Sequence, residues 1–209
     1  MEKYISKKEK VSYGFAAVGS YMVAGITQSY LMYFFTDILI IPSAFVMMLM
    51  IVARVWDALN DPMMGVIVDR TSTKYGKMRP YVLVGSFLML FTTIVLFMPL
   101  TGVPTMFKMI FAAVSYIIFG MAYTLTDVPA MGLMSVATPN SDERASLLSF
   151  YVTVGSVGSL LPVGLLTIFQ SFIPEKYVYF AMSIFVGIIT SAAYLTLFKN
   201  SKERFSTHT

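Results

Sequence analysis

Three ionisable side chains, Arg54, Asp57 and Asp61, stand inside the apolar stretch from Phe45 to Val68. Their spacing of three and four residues puts them on one face of a helix. Asn60 lies at the edge of that face. Charges inside an apolar helix are expensive and face a bundle interior or a water-filled cavity. Arg54 offsets one carboxylate and leaves the other uncompensated. Two carboxylates one turn apart repel, so either one takes a proton or a cation sits between them. Two Asp and an Asn carbonyl are the oxygen ligands that a hard cation prefers. Pro62 adds an acceptor: a proline inside a helix frees the carbonyl four residues back, here that of Ala58. Freed carbonyls of this kind coordinate ions within membranes.

A second group repeats the device. In "YIIFGMAYTLTDVPAM", Tyr116, Gly120, Tyr123 and Asp127 share one helix face, and Pro129 follows Asp127 closely. Thr124 adds a hydroxyl beside Tyr123. A carboxylate with aromatic neighbours suits a polyhydroxylated ligand: the carboxylate accepts from hydroxyls, and a ring packs on the apolar face of a sugar. Tyr21 and Gln28, seven residues apart, are further candidates for the same cavity. Each group also has a structural reading, in which Arg54 pairs with Asp57 and Asp127 bonds a neighbouring helix. Asp37 reads as an interface residue.

The elements that position these residues follow from composition. The 209-residue chain is 57% hydrophobic and 12% charged, with a mean hydropathy of +0.74. A soluble domain carries about twice that charge. A bilayer core of about 30 Å needs about 20 helical residues, and such runs recur. They extend from Tyr13 to Ile38, Phe45 to Val68, Tyr81 to Pro99, Met106 to Ala137, Ala145 to Phe172, and Tyr177 to Phe198. They are too continuously apolar for barrel strands. The expected fold is an all-α polytopic membrane protein with six transmembrane helices. Residues 1–10 read as an N-terminal tail, 11–199 as the bundle and 200–209 as the start of a loop. The first apolar run is too long for a signal-peptide core and reads as an uncleaved span.

Twelve Lys and Arg, from Lys3 to Arg204, fall on one set of loops and tails, against Lys108 and Lys176 on the other. The positive-inside rule then puts both termini in the cytoplasm of a cell membrane, and the +4 net charge reports orientation rather than nucleic-acid binding. There is no Cys, and the sole His is His208, near the end of the chain. Thiol chemistry and a His-based metal site are therefore excluded. No serine–base pair stands in a convincing context, and two Asp on one helix do not face each other as a dyad, so no enzyme is expected. The glycines of "TVGSVGS" (Thr153 to Ser159) follow no strand and read as close-packing residues between helices.

"ARVWDALNDPMMGVIVDRT", "YGKMRPY", "YLMYFFTD" and "MAYTLTDVP" together resemble the glycoside–pentoside–hexuronide:cation symporters, the melibiose-permease-like branch of the major facilitator superfamily. The resemblance runs from about Lys10 to Asn200. It implies a coupling-cation site (Na⁺, Li⁺ or H⁺) at Asp57, Asn60, Asp61 and Thr124. It implies sugar binding at Asp127 with Tyr123, Arg54 at the junction of the two sites, and Tyr21 at a sugar-site position. It also implies a cytoplasmic charge latch at Asp69, Arg70, Lys77 and Arg79. Melibiose-permease-like members carry an Asp at the position of Tyr21, an Arg at that of Val152 and a Trp at that of Met131. A preserved cation site beside an altered sugar site implies a different glycoside or a decayed sugar site. The family has twelve helices in two halves, and the resemblance matches this chain to the first half. The expected partners are a sugar or glycoside, the lipid bilayer, and a missing C-terminal half or a second half-bundle. The alternative is a half-bundle that does not transport and acts as a membrane sensor or assembly partner.

Overall fold

The computed structural model of the chain describes residues 4–205, so Lys3 and His208 lie outside the described residues. Six helices follow one another: α1 (Lys7–Tyr33), α2 (Ser43–Arg70), α3 (Arg79–Leu96), α4 (Thr105–Ala137), α5 (Ser141–Gln170) and α6 (Glu175–Asn200). They correspond to the six expected spans. Lys7 to Lys10, expected in the tail, are instead the first turn of α1, because Ser6 caps it and accepts a hydrogen bond from the Glu9 N–H at 3.2 Å. Asn140 does the same for α5, accepting from the N–H groups of Asp142 and Glu143. Pro42, Pro104 and Pro174 stand immediately before α2, α4 and α6, where a missing N–H costs nothing. Between α1 and α2 the chain makes a π-helical turn, Phe34–Ile38, then places Ile40 at a φ of 58°. The Lys108 ammonium donates to the Leu39 carbonyl at 2.9 Å and ties this turn to α4.

Among the described residues, five helices are long and apolar enough to cross a membrane; α1, of 27 residues, is long enough but less apolar. Ser, Gly, Thr and Gln interleave along it. It packs on both α5 and α6, and inside a bundle such small residues let backbones approach. Gly158 meets the Val18 backbone, where an added β-carbon would stand 2.8 Å away, and Gly155 leaves room for the Tyr21 ring in the same manner. The glycines of "TVGSVGS" are thus packing residues. Elsewhere α3 packs on α4 and α6, while α2 packs chiefly on α4.

The apolar core divides into two clusters. One, around Met22, Phe34, Met89 and Met182, lies toward the end with the π-helical turn. The other, around Tyr13, Val82, Leu133 and Leu197, lies toward the end with both termini. Between them, midway along the bundle, α1, α4 and α6 contribute Ser20, Asp127 and Thr190. Thr190 donates to the Gly19 carbonyl at 2.9 Å. This polar layer is where the candidate site forms.

Candidate functional site

A cavity of about 250 Å³ opens between α1, α2 and α4. α2 presents Arg54, Asp57 and Asp61 to it, one helix face as the spacing requires. The helix runs on unbroken through Pro62. α4 presents Tyr116, Gly120, Tyr123, Thr124 and Asp127, again one face, and α1 presents Thr27 and Gln28. Arg54 and Asp61 are exposed within this chain and Asp57 is half-buried. The three charges of α2 therefore face the cavity rather than the apolar clusters, which is how their cost is met.

The two helices meet through specific contacts. The Thr124 hydroxyl donates to Asp61 Oδ1 at 2.8 Å. Gly120 lets the other carboxylate approach: a β-carbon there would stand 3.2 Å from Asp57 Oδ1. Arg54 makes no ion pair; among the described residues the one ion pair is Glu9–Arg204. No Arg54 nitrogen lies within ion-pair distance of Asp57, and the two interact only through space. Two carboxylates one turn apart, with a hydroxyl on one and no cation side chain on either, form a negatively charged face with oxygen donors, the chemistry a hard cation fits.

Asn60 sits outside the cavity lining, and its Nδ2 is buried without a hydrogen-bond partner among the described residues. Tyr21 also sits outside the lining. Its ring packs on Gly155 and edge-on to Tyr151, with centroids 6.3 Å apart. Asp127 receives hydrogen bonds from the Ser20 hydroxyl at 2.8 Å and from the Tyr194 hydroxyl at 3.5 Å, both on Oδ1. The sequence reading did not single out Ser20 or Tyr194. Nor did it single out Trp56, the sole Trp, which lines the cavity beside Asp57. Asp37, at the end of the π-helical turn, accepts from the Thr36 hydroxyl at 2.5 Å, away from the cavity.

The residues expected as a charge latch lie at the end with both termini. Asp69 and Arg70 are exposed and make no ion pair among the described residues. The carboxylate that gathers this loop is Glu203, beyond α6. It accepts from the backbone N–H groups of Lys77, Met78 and Arg79 at 2.8 to 3.0 Å and so caps α3. The Arg79 guanidinium donates to the Phe198 carbonyl at 2.7 Å and lies over the Phe198 ring. Arg204 grips Glu9 with both terminal nitrogens at 2.9 and 2.8 Å, and Glu9 is only 1% exposed. The N–H groups of Arg204 and Phe205 reach the Val136 carbonyl. Residues 201–205 thus strap α1, α3 and α4 together.

Residues 12–209 match the family model described as MFS/sugar transport protein. The chain belongs to that family. Among its relatives is the uncharacterized symporter YjmB of Bacillus subtilis, 34% identical over 97% of this chain and 45% of that protein. The putative glycoside/cation symporter YagG of Escherichia coli is 30% identical over 97% of the chain and 44% of its own length. The isoprimeverose transporter of Lactiplantibacillus pentosus is 29% identical over 95% and 42%. The chain spans about half the length of the relatives it matches. Membership in this family, together with the apolar helices, makes this a multi-pass membrane protein.

Proposed function

We propose that this chain forms a cation- and sugar-binding six-helix half of a glycoside:cation symporter in the cell membrane, with both termini in the cytoplasm. The observation that carries the reading is one cavity shared by Asp57, the Asp61–Thr124 pair and Asp127. A coupling ion (Na⁺, Li⁺ or H⁺) binds at the α2 carboxylates and neutralises that face. A glycoside binds at Asp127 and Tyr123, with Arg54 between the two sites. Binding energy shared between ion and sugar is a reciprocal coupling: each raises the affinity for the other by the same factor. Alternating access needs two bundles rocking around a midplane site, so a second six-helix half is the partner. Asp69 and Arg70, exposed at the end with both termini, are placed to meet it.

The test uses the sole Trp as reporter. Nitrophenyl glycosides quench Trp56 when they occupy the cavity. Their binding to the purified chain should strengthen with Na⁺, Li⁺ or falling pH. Asp61→Asn should remove that ion dependence, and Asp127→Asn should remove glycoside binding. Glycoside binding that keeps its full ion dependence in Asp57→Asn and Asp61→Asn would refute the cation-site assignment.

A further inference from the structure

We propose that Ser20 is a positioning residue: it fixes the orientation of the Asp127 carboxylate and thereby sets which sugar hydroxyl the cavity accepts. This deepens the proposed function and rests on Asp127 being a ligand-binding group. Ser20 is fully buried on α1 and donates to Asp127 Oδ1 at 2.8 Å. Its oxygen also stands 3.1 Å from the Tyr123 hydroxyl. A serine hydroxyl has one proton and two lone pairs. With its proton committed to the carboxylate, it accepts from Tyr123. The chain of donation therefore runs Tyr123 to Ser20 to Asp127, from α4 through α1 and back to α4. The Tyr194 hydroxyl of α6 approaches the same oxygen at 3.5 Å, the outer limit of a hydrogen bond, so Ser20 is the short contact.

Both hydrogen bonds fall on Oδ1, and the buried Tyr151 hydroxyl also faces this carboxylate without coming within hydrogen-bond distance of either oxygen. One oxygen is pinned by the protein, and the other is left for a ligand hydroxyl. A carboxylate held in this way has its rotamer set before the ligand arrives, so the ligand does not meet the cost of ordering it. A site organised around one hydrogen bond rejects analogues whose hydroxyl is missing or misplaced, because the buried acceptor is then left unpaired. Without Ser20 the carboxylate turns toward either side, and discrimination between epimers falls together with affinity. Tyr123 gains a second role, because its ring lines the cavity while its hydroxyl holds Ser20 in register.

The experiment compares wild type, Ser20→Ala, Ser20→Thr, Asp127→Asn and the Ser20→Ala/Asp127→Asn double variant. All are purified as the 209-residue chain in detergent and checked for wild-type helicity. The probes are p-nitrophenyl β-xyloside, β-glucuronide and α-galactoside, read by quenching of Trp56. Ser20→Ala should weaken the best probe about tenfold, the loss of one hydrogen bond to a charged group. It should also narrow the spread among the three probes. Ser20→Thr should restore both, and Ser20→Ala should add nothing in the Asp127→Asn background. A second readout needs no ligand: the infrared carboxyl band that disappears in Asp127→Asn should shift in Ser20→Ala and return in Ser20→Thr. If Asp127→Asn abolishes probe binding and Ser20→Ala leaves it intact, the positioning role is wrong and the proposed function stands. If Asp127→Asn leaves binding intact, the ligand role of Asp127 falls and this inference falls with it. Where no probe binds even the wild-type chain, the band decides: an unshifted band in Ser20→Ala overturns the proposal.

Discussion

Thr124 on α4 donates its hydroxyl to Asp61 on α2 at 2.8 Å, so the two helices that carry the candidate sites are joined by one of their own site residues. The bond occupies Asp61 Oδ1 and fixes the α2 carboxylate pair against α4.

Thr124→Val should therefore weaken the ion response more than the fold. Losing a hydrogen bond to a charged group costs about 1.5–3 kcal/mol, about tenfold or more in ion affinity. Titration of Na⁺ or Li⁺ against Trp56 fluorescence checks this, and Thr124→Ser should behave like wild type. An unchanged ion titration in Thr124→Val would remove the residue from the site.

Gly120 offers a graded test of Asp57. The β-carbon of Gly120→Ala would stand 3.2 Å from Asp57 Oδ1, so the carboxylate must move by a few tenths of an ångström. The expected result is a few-fold loss of ion affinity with unchanged helicity. Gly120→Leu, which fills cavity volume, should abolish both ion and glycoside signals.

Removing the Arg204 guanidinium leaves Glu9 buried without its cation. Breaking a buried pair from one side costs about 3 kcal/mol, toward the low end of the usual range because Arg204 is partly exposed. Arg204→Ala should lower the thermal midpoint in detergent by several degrees while leaving cavity ligands in place. Its hydrogen bonds to the Glu9 carboxylate hold the guanidinium above its usual pKa. A raised folded value means that its contribution is present at all pH below the ordinary arginine range and is lost only above it. The variant's deficit should therefore be constant across neutral pH, which thermal scans at several pH values check.

Glu203→Ala should uncap α3. The amides of Lys77, Met78 and Arg79 lose their carboxylate acceptor, and each should exchange hydrogen about tenfold faster. Protection in the middle of α5 should stay unchanged. Equal exchange in variant and wild type would show that residues 201–205 do not strap the bundle in solution.

What the sequence disclosed followed local spacing. Arg54, Asp57 and Asp61 sit three and four apart, and Tyr116, Gly120, Tyr123 and Asp127 do likewise, so each group could be placed on one face before any helix was packed. The six apolar runs were legible for the same reason: length and hydropathy are local properties. The partners of those faces were not. Ser20 lies 107 residues from Asp127, and nothing in its neighbourhood sets it apart from Ser12 or Ser29. Tyr21, the more conspicuous side chain, turns onto Gly155 instead. Glu9 reads as one charge among many in a polar tail, yet Arg204, 195 residues away, buries it. The π-helical turn at Phe34–Ile38 left no local signature either, because its side chains would suit an ordinary α-helix equally well.

The packing order of the helices bears on how the protein is made. α2 rests chiefly on α4 rather than on its sequence neighbours. Chains are built from the N-terminus at about 5–20 residues per second, so Arg54, Asp57 and Asp61 leave the ribosome before Gly120, Thr124 and Asp127 exist. For that interval α2 is a charged segment with no cavity to face. Its charges meet the polar face of α4 only once α3 has passed and α4 is completed. The burial of these charges is thus completed by a helix two places later in the chain, and slowing translation within α4 should prolong the stage at which the nascent protein is most exposed to membrane quality control.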